Sequence, residues 1–178
     1  MAEPRRLPVL QSSKPAPGAA QAPSSDEPEP RPAWHWSAIG ALLIFSMMLP
    51  LSMLAAGVTG SFLTSIVPAG SPEQVQEFLN HADSNTLWKI RLAQVTPGAI
   101  AFVMAATAGG ALVGRFGGDA RTKEATVAGL IAATVAWSLA AITAGFASTW
   151  MVWPALAGIG SLSAFVGGRW GLSKRSAA

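Results

Sequence analysis

The run SAIGALLIFSMMLPLSMLAAGVTGSFLTSIV, residues 37–67, carries no charged side chain along its 31 residues. An α-helix rises about 1.5 Å per residue, so roughly 20 apolar residues cross the hydrocarbon core of a bilayer. This run exceeds that need, so a helix built from it must tilt, kink at Pro50 or continue past the bilayer. Three more apolar runs follow, Pro97–Phe116, Ala125–Phe146 and Trp150–Gly168, and Arg115 in the last turn of the first is their one ionisable residue. A soluble domain would need all four as core helices. The sequence therefore predicts an all-α membrane protein with four transmembrane helices, at about 37–60, 97–117, 124–146 and 149–169.

Composition agrees with that reading. Of 178 residues, 51% are hydrophobic and 12% charged, against about a quarter charged in ordinary soluble domains. Cysteine and tyrosine are absent, and histidine occurs only at His35 and His81. Disulfides, thiol catalysis and cysteine-ligated metal sites are excluded, and no catalytic constellation, cofactor motif or metal-ligand cluster stands out. His81, Asp83 and Ser84 cluster in sequence, but they sit where a helix begins and read as capping residues.

Working outward from the first span, residues 1–33 are rich in Pro, Ala, Ser and charge. Such a segment buries too little apolar surface to offset the entropy of ordering, and a disordered cytoplasmic tail is expected. Its length, its prolines and the lack of an A-x-A site speak against a cleaved signal peptide. The remaining residues, 34–178, form the expected membrane domain. Between its first two spans, about 68–96, lies a polar outer loop with helix punctuation. Ser71, Pro72 and Gln74 make a capping-box pattern, followed by Val75, Phe78 and Leu79 on one helical face. A second start, DSNTLWKIRLAQV, either extends the second span or lies on the membrane surface.

Charge placement sets the expected orientation. With four spans, Arg5, Arg6, Lys14, Arg31, Arg115, Arg121, Lys123, Arg169, Lys174 and Arg175 share one side, and Lys89 and Arg91 the other. Lys and Arg accumulate on the cytoplasmic face, so both termini are expected in the cytoplasm. The same placement accounts for a pI near 10.0 through anionic headgroups, without nucleic acid. Arg115, Arg121 and Lys123 are the candidate headgroup contacts. Trp34, Trp36 and Trp170 on the inner side, with Trp150 and Trp153 on the outer, are the expected interface anchors.

The glycines of GGALVGRFGGDARTKEA, residues 109–125, fit neither a Walker loop nor a dinucleotide fingerprint. At helical spacing they make packing surface instead. Ala106, Gly110, Gly114 and Gly118 recur every four residues, beside Ala101, Ala105 and Gly109. The third span repeats Ala128, Ala132, Ala136 and Ala140, and the fourth Gly160, Ala164 and Gly168. In lipid, helices associate by close packing, which small residues permit. Spans two to four should form that bundle, with two and three paired and Trp137 near the level of Ala101 and Ala105. Span one, with Leu42, Leu43, Ile44, Phe45, Met47, Met48 and Leu49, should face lipid.

The motif GGALVGR, its short basic turn and the Ala/Gly-rich span after it, Ala99 to Gly145, resemble the helical hairpin of small uncharacterised four-span bacterial membrane proteins. That resemblance implies no activity and no catalytic residue. Arg-over-Lys usage and Ala, Gly and Trp richness point the same way, to a bacterial cytoplasmic membrane. The expected role is a non-enzymatic scaffold, accessory subunit or partner-binding module, meeting the lipid bilayer and a membrane-protein partner or further copies of itself. The alternative is a small oligomeric pore or transporter, with Thr107, Thr134, Ser138, Ser161 and Ser163 as its polar groups. Against it, no ionisable residue lies mid-span.

Overall fold

A computed structural model describes residue 32 and residues 34–118, 122–145 and 149–175. The expected tail over 1–33 therefore lies, Pro32 apart, outside the described residues. Within them the protein is helical, with no strand. Its helices are α1 (Trp34–Ile66), α2 (Pro72–His81), α3 (Ser84–Phe116), α4 (Thr122–Ala144) and α5 (Val152–Arg175). Three of them, α1, α3 and α4, are long and apolar enough to cross a membrane. At 24 residues α5 has the length, but its glycines, serines and terminal basic residues lower its hydropathy.

The local signals explain most helix boundaries. Ser71 Oγ accepts from the backbone of Gln74 while the Gln74 side chain accepts from Ser71 N–H, closing a capping box on α2. The Ser71 hydroxyl also donates to Glu73 at 2.6 Å, which holds that carboxyl below its ordinary pKa. Asp83 caps α3 by accepting from Asn85 N–H at 3.2 Å. Hydrogen bonding from the Thr86 side chain, and more weakly from nearby backbone, likewise lowers its pKa. From Ser84 the helix runs without a break to Phe116, so residues 85–96 extend α3 rather than forming a separate surface segment. At its far end Gly117 N–H bonds to the Val113 carbonyl, and Gly118 takes φ +55°, a conformation that costs glycine little. Gly145 closes α4 in the same region of conformational space, φ +87°.

Contacts between helices give the arrangement. A methyl group placed on Gly40 would meet Val113 and Ala128, and one on Gly109 would meet Ile44. So α1 and α3 run antiparallel and α1 and α4 parallel. Gly110 meets Ala164 and Gly114 meets Gly168, which makes α3 and α5 parallel; Gly129 meets Gly160 while Gly168 meets Ala125, so α4 and α5 are antiparallel. One end of the bundle thus gathers the start of α1, the end of α3, the start of α4 and the end of α5. This basic end carries Arg115, Lys123, Arg169, Lys174 and Arg175. The opposite end carries α2.

Two expectations need correcting. The main partner of α3 is α5, not α4; α5 also packs broadly on α4, while α3 and α4 touch least among the packed helix pairs. Small residues on α5 pack against both α3 and α4, which leaves those two with the narrower contact. Nor is α1 simply lipid-facing. Ile44 has no exposed surface and joins Phe102, Ala105, Ala106, Ala128, Ala132 and Ala133 in the core. Phe45, Met47 and Met48 pack against that cluster, whereas Leu42 and Leu49 are exposed. The glycine at position 40 lets α1 approach, because its absent side chain leaves room for Val113 and Ala128.

Candidate functional site

The distinctive construction is the junction of α3, α4 and α5. From Ala101 onward the buried residues of α3 are Ala101, Phe102, Ala105, Ala106, Gly109, Gly110, Val113 and Gly114, a broad face two residues wide; Ile90, nearer its start, is buried as well. On α5 they are Ala157, Gly160, Ala164, Gly167, Gly168 and Gly171. The two faces interlock through backbone. Where Gly110 lacks a side chain stands the backbone of Ala164, and opposite Gly114 stands that of Gly168. Reciprocally, Gly167 faces the Thr107 carbonyl and Gly171 the Ala111 carbonyl. In all four pairs a carbonyl oxygen lies against a glycine Cα, the arrangement of weak Cα–H···O contacts worth about 0.5–1 kcal/mol each. A methyl on Gly110 would stand 2.8 Å from Ala164 Cα, inside normal contact of about 3.5–4.0 Å.

The expected packing residues divide by position. Ala106, Gly110, Gly114, Ala132, Gly160, Ala164 and Gly168 are all buried in the junction. Gly118 is not: it stands past the end of α3 with open space around it and serves the turn. Ala136 is half-buried and Ala140 exposed. A spacing of four in a helix of 3.6 residues per turn rotates about 40° per repeat, so the α4 stripe winds out of the interface. The buried face of α4 is instead Ala125, Ala128, Gly129, Ala132 and Ala133. Sequence reasoning passed over Gly129, Gly167 and Gly171, although Gly167 and Gly171 are themselves a glycine pair four apart.

At the basic end, Arg175 does work that charge counting alone did not assign. Its Nε donates to the Arg115 carbonyl at 3.1 Å, and its two terminal nitrogens donate to the carbonyls of Gly114 and Gly118. A guanidinium fork thereby satisfies carbonyls left open where α3 ends, at the negative end of its dipole. The last turn of α5 is tied to the last turn of α3. Of the expected headgroup contacts, Arg115 and Lys123 are exposed at this end. The Arg115 guanidinium lies 5.4 Å from the Phe116 ring centroid. Arg121 lies outside the described residues.

The tryptophans separate into exposed rings and packed ones. Trp34, Trp150, Trp170 and, to a lesser degree, Trp153 are exposed, and Trp34 stacks on His35 with centroids 3.9 Å apart. Trp36 is half-buried and packs against Val113 and Ala125. Trp153 donates to the Thr134 hydroxyl at 3.3 Å. Trp137 donates to the Thr149 carbonyl at 2.9 Å, so its indole is held by the turn between α4 and α5. It is not a member of the cluster around Ala105.

Three of the five hydroxyls offered for a polar path turn to their own helices. Thr107, Thr134 and Ser138 donate to the carbonyls of Val103, Leu130 and Thr134, each at 2.8–2.9 Å. What the junction does chemically is close the bundle by direct backbone contact. Comparison with known proteins finds no matching family model, no matching curated protein and no matching solved structure.

Proposed function

We propose that the chain is a four-span protein of a bacterial cytoplasmic membrane, with both termini in the cytoplasm. It acts without catalysis, as a scaffold, accessory subunit or partner-binding module. The observation that carries this reading is the α3–α5 junction, where Gly110, Gly114, Gly167 and Gly171 let the two backbones touch. Packing that close fixes shape and leaves no lumen along the α3–α5 seam. Three of the five hydroxyls offered for a conducting path, Thr107, Thr134 and Ser138, donate to carbonyls of their own helices.

The fourth span rests on the same contacts. At about 36 Å, α5 is long enough for the hydrocarbon core, and it lies along both α3 and α4. Its glycines lower hydropathy but are the packing surface. Orientation rests on ten basic residues against two. Crosslinking followed by affinity purification from native membranes tests the role: a reproducible protein partner or homo-oligomer is expected. Recovery of monomer with lipid alone, or solute flux in liposomes holding the purified chain, would sink it.

A further inference from the structure

The interface between α1 and α3 is closed over one half of its length and open over the other. Near the basic end Gly40 admits Val113 and Ile44 fills the notch at Gly109. Beyond Leu51 the two helices instead flank a groove of about 670 Å³. Leu51, Leu54, Val58, Phe62 and Ile66 form one wall, all on a single face of α1. Across it stand Lys89, Ala93, Pro97, Ile100 and Met104, a continuation of the α3 face that packs on Ile44 further in. Phe62 is 56% exposed, and nothing else in the described chain covers this wall.

Two features say what fits. The first is length. Lys89 and Arg115 are separated by 26 residues along α3, about 39 Å, close to the roughly 40–45 Å of a bilayer with its headgroups. From Lys89 to Met104 is 15 residues, about 22 Å, which is half of that thickness, one leaflet. The second is charge. Among the lining residues Lys89 alone is ionisable, and it sits at the end where Trp88, 59% exposed, marks an interface level. An apolar slot one leaflet deep with a single cation at its mouth matches a phospholipid: acyl chain between the helices, phosphate at the ammonium.

We propose that this groove holds an anionic phospholipid of the leaflet opposite the basic end, with Lys89 as its headgroup contact. The proposal rests on α1 and α3 crossing the bilayer. Lipid completes an interface that the protein leaves half built, which ties the position of the outer half of α1 to lipid charge. The inner half of the same interface needs no such filler, because small residues close it.

Because the chain has no cysteine, single cysteines can be labelled cleanly. Full-length Ala93→Cys and Leu54→Cys, on opposite walls, and Leu162→Cys, exposed on α5, are labelled with an environment-sensitive fluorophore. Each is placed in phosphatidylcholine vesicles containing brominated phosphatidylglycerol or brominated phosphatidylcholine. Quenching at both groove positions should favour phosphatidylglycerol about fivefold, the effect of one lysine near an anionic surface. Lys89→Gln should abolish that preference while quenching persists, and Leu162 should show none. Equal quenching by both lipids in the groove overturns the proposal. So does protection of both groove sites with Leu162 still quenched, which means that a second copy covers them. If Leu162 is unquenched as well, the membrane reading itself fails. Circular dichroism on every labelled variant verifies that the helices are intact.

Discussion

Gly110→Ala is the sharpest test of the backbone junction, provided it is measured beside Gly158→Ala. Both glycines lie inside helices, so each substitution gains the same intrinsic helix preference, up to about 1 kcal/mol. Around Gly158 there is open space. At Gly110 the new methyl would stand 2.8 and 2.9 Å from Ala164 Cα and carbonyl carbon, and nearer still to its oxygen. Those are backbone atoms, with no side chain to rotate away, so α3 and α5 must separate by something near 1 Å. A gap of that size forfeits about a quarter to a half of each dispersion contact along the seam. Overpacking typically costs about 1–3 kcal/mol, and a rigid obstacle places this case at the upper end. Because the propensity gain cancels, Gly110→Ala should be about 2–3 kcal/mol less stable than Gly158→Ala. The assay is unfolding in mixed dodecylmaltoside–SDS micelles followed by circular dichroism. Stabilities within about 0.5 kcal/mol of each other, a level typical of uninvolved surface positions, would refute backbone contact as the basis of the junction.

Three further outcomes are expected. Ala105→Leu places a bulky side chain in a core with no exposed surface and should lower stability by about 1–3 kcal/mol in the same micelle assay. Arg175→Gln removes charge-assisted bonds to three carbonyls at the end of α3 and should speed amide exchange at Gly117 and Gly118; Arg175→Lys, lacking the planar fork, should restore it only in part. Asp83 has a depressed carboxyl pKa in the folded chain, so its contribution is present above the ordinary carboxylate pKa and is lost as pH falls through the folded value. Amide protection over residues 84–88, relative to the intrinsic exchange rate at each pH, should therefore fall below about pH 4, and Asp83→Asn should flatten that dependence; a profile unchanged by the substitution would remove the cap from the account.

Helix starts were the most legible part of the fold, because capping is local chemistry. Ser71, Pro72, Gln74 and Asp83 each do in the structure what their spacing indicates. The α3 packing face was legible too, since two adjacent small-residue rows stay inside one broad face over two repeats. On α4 the same rule failed from Ala136 onward, where three steps of about 40° carry the row from the interface to the surface. Partner choice was not legible. Nothing in the spacing of Gly110 and Gly114 says whether α4 or α5 lies against them; that depends on matched registers, Ala164 and Gly168 on one side, Thr107 and Ala111 on the other. Ile44 was hidden for a related reason. Hydropathy reports that a residue avoids water, and lipid and a helical core satisfy it equally. Arg175 lies 60 residues from the carbonyl its Nε reaches, beyond any local pattern.

The two halves of the α1–α3 interface then have different physical status. In lipid there is little hydrophobic gain from joining apolar helices, so contact persists where shapes fit closely and lapses where they do not. Around Gly40 and Ile44 the fit is close, with a fully buried isoleucine and a glycine notch. Past Leu51 the α1 wall is bulky, with Leu54, Val58 and Phe62, and although Ala93 and Ala101 stand on the α3 side, the two helices flank a groove instead of meeting. The α3, α4 and α5 core is held by its glycines, whereas on the proposal above the half of α1 beyond Leu51 is positioned by the phospholipid beside it. A substitution that fills the slot from the protein side, such as Ala93→Phe, should displace the lipid. Quenching of a fluorophore at Leu54→Cys should then lose its preference for brominated phosphatidylglycerol, while the stability difference between Gly110→Ala and Gly158→Ala is unchanged. A retained preference would count against the slot.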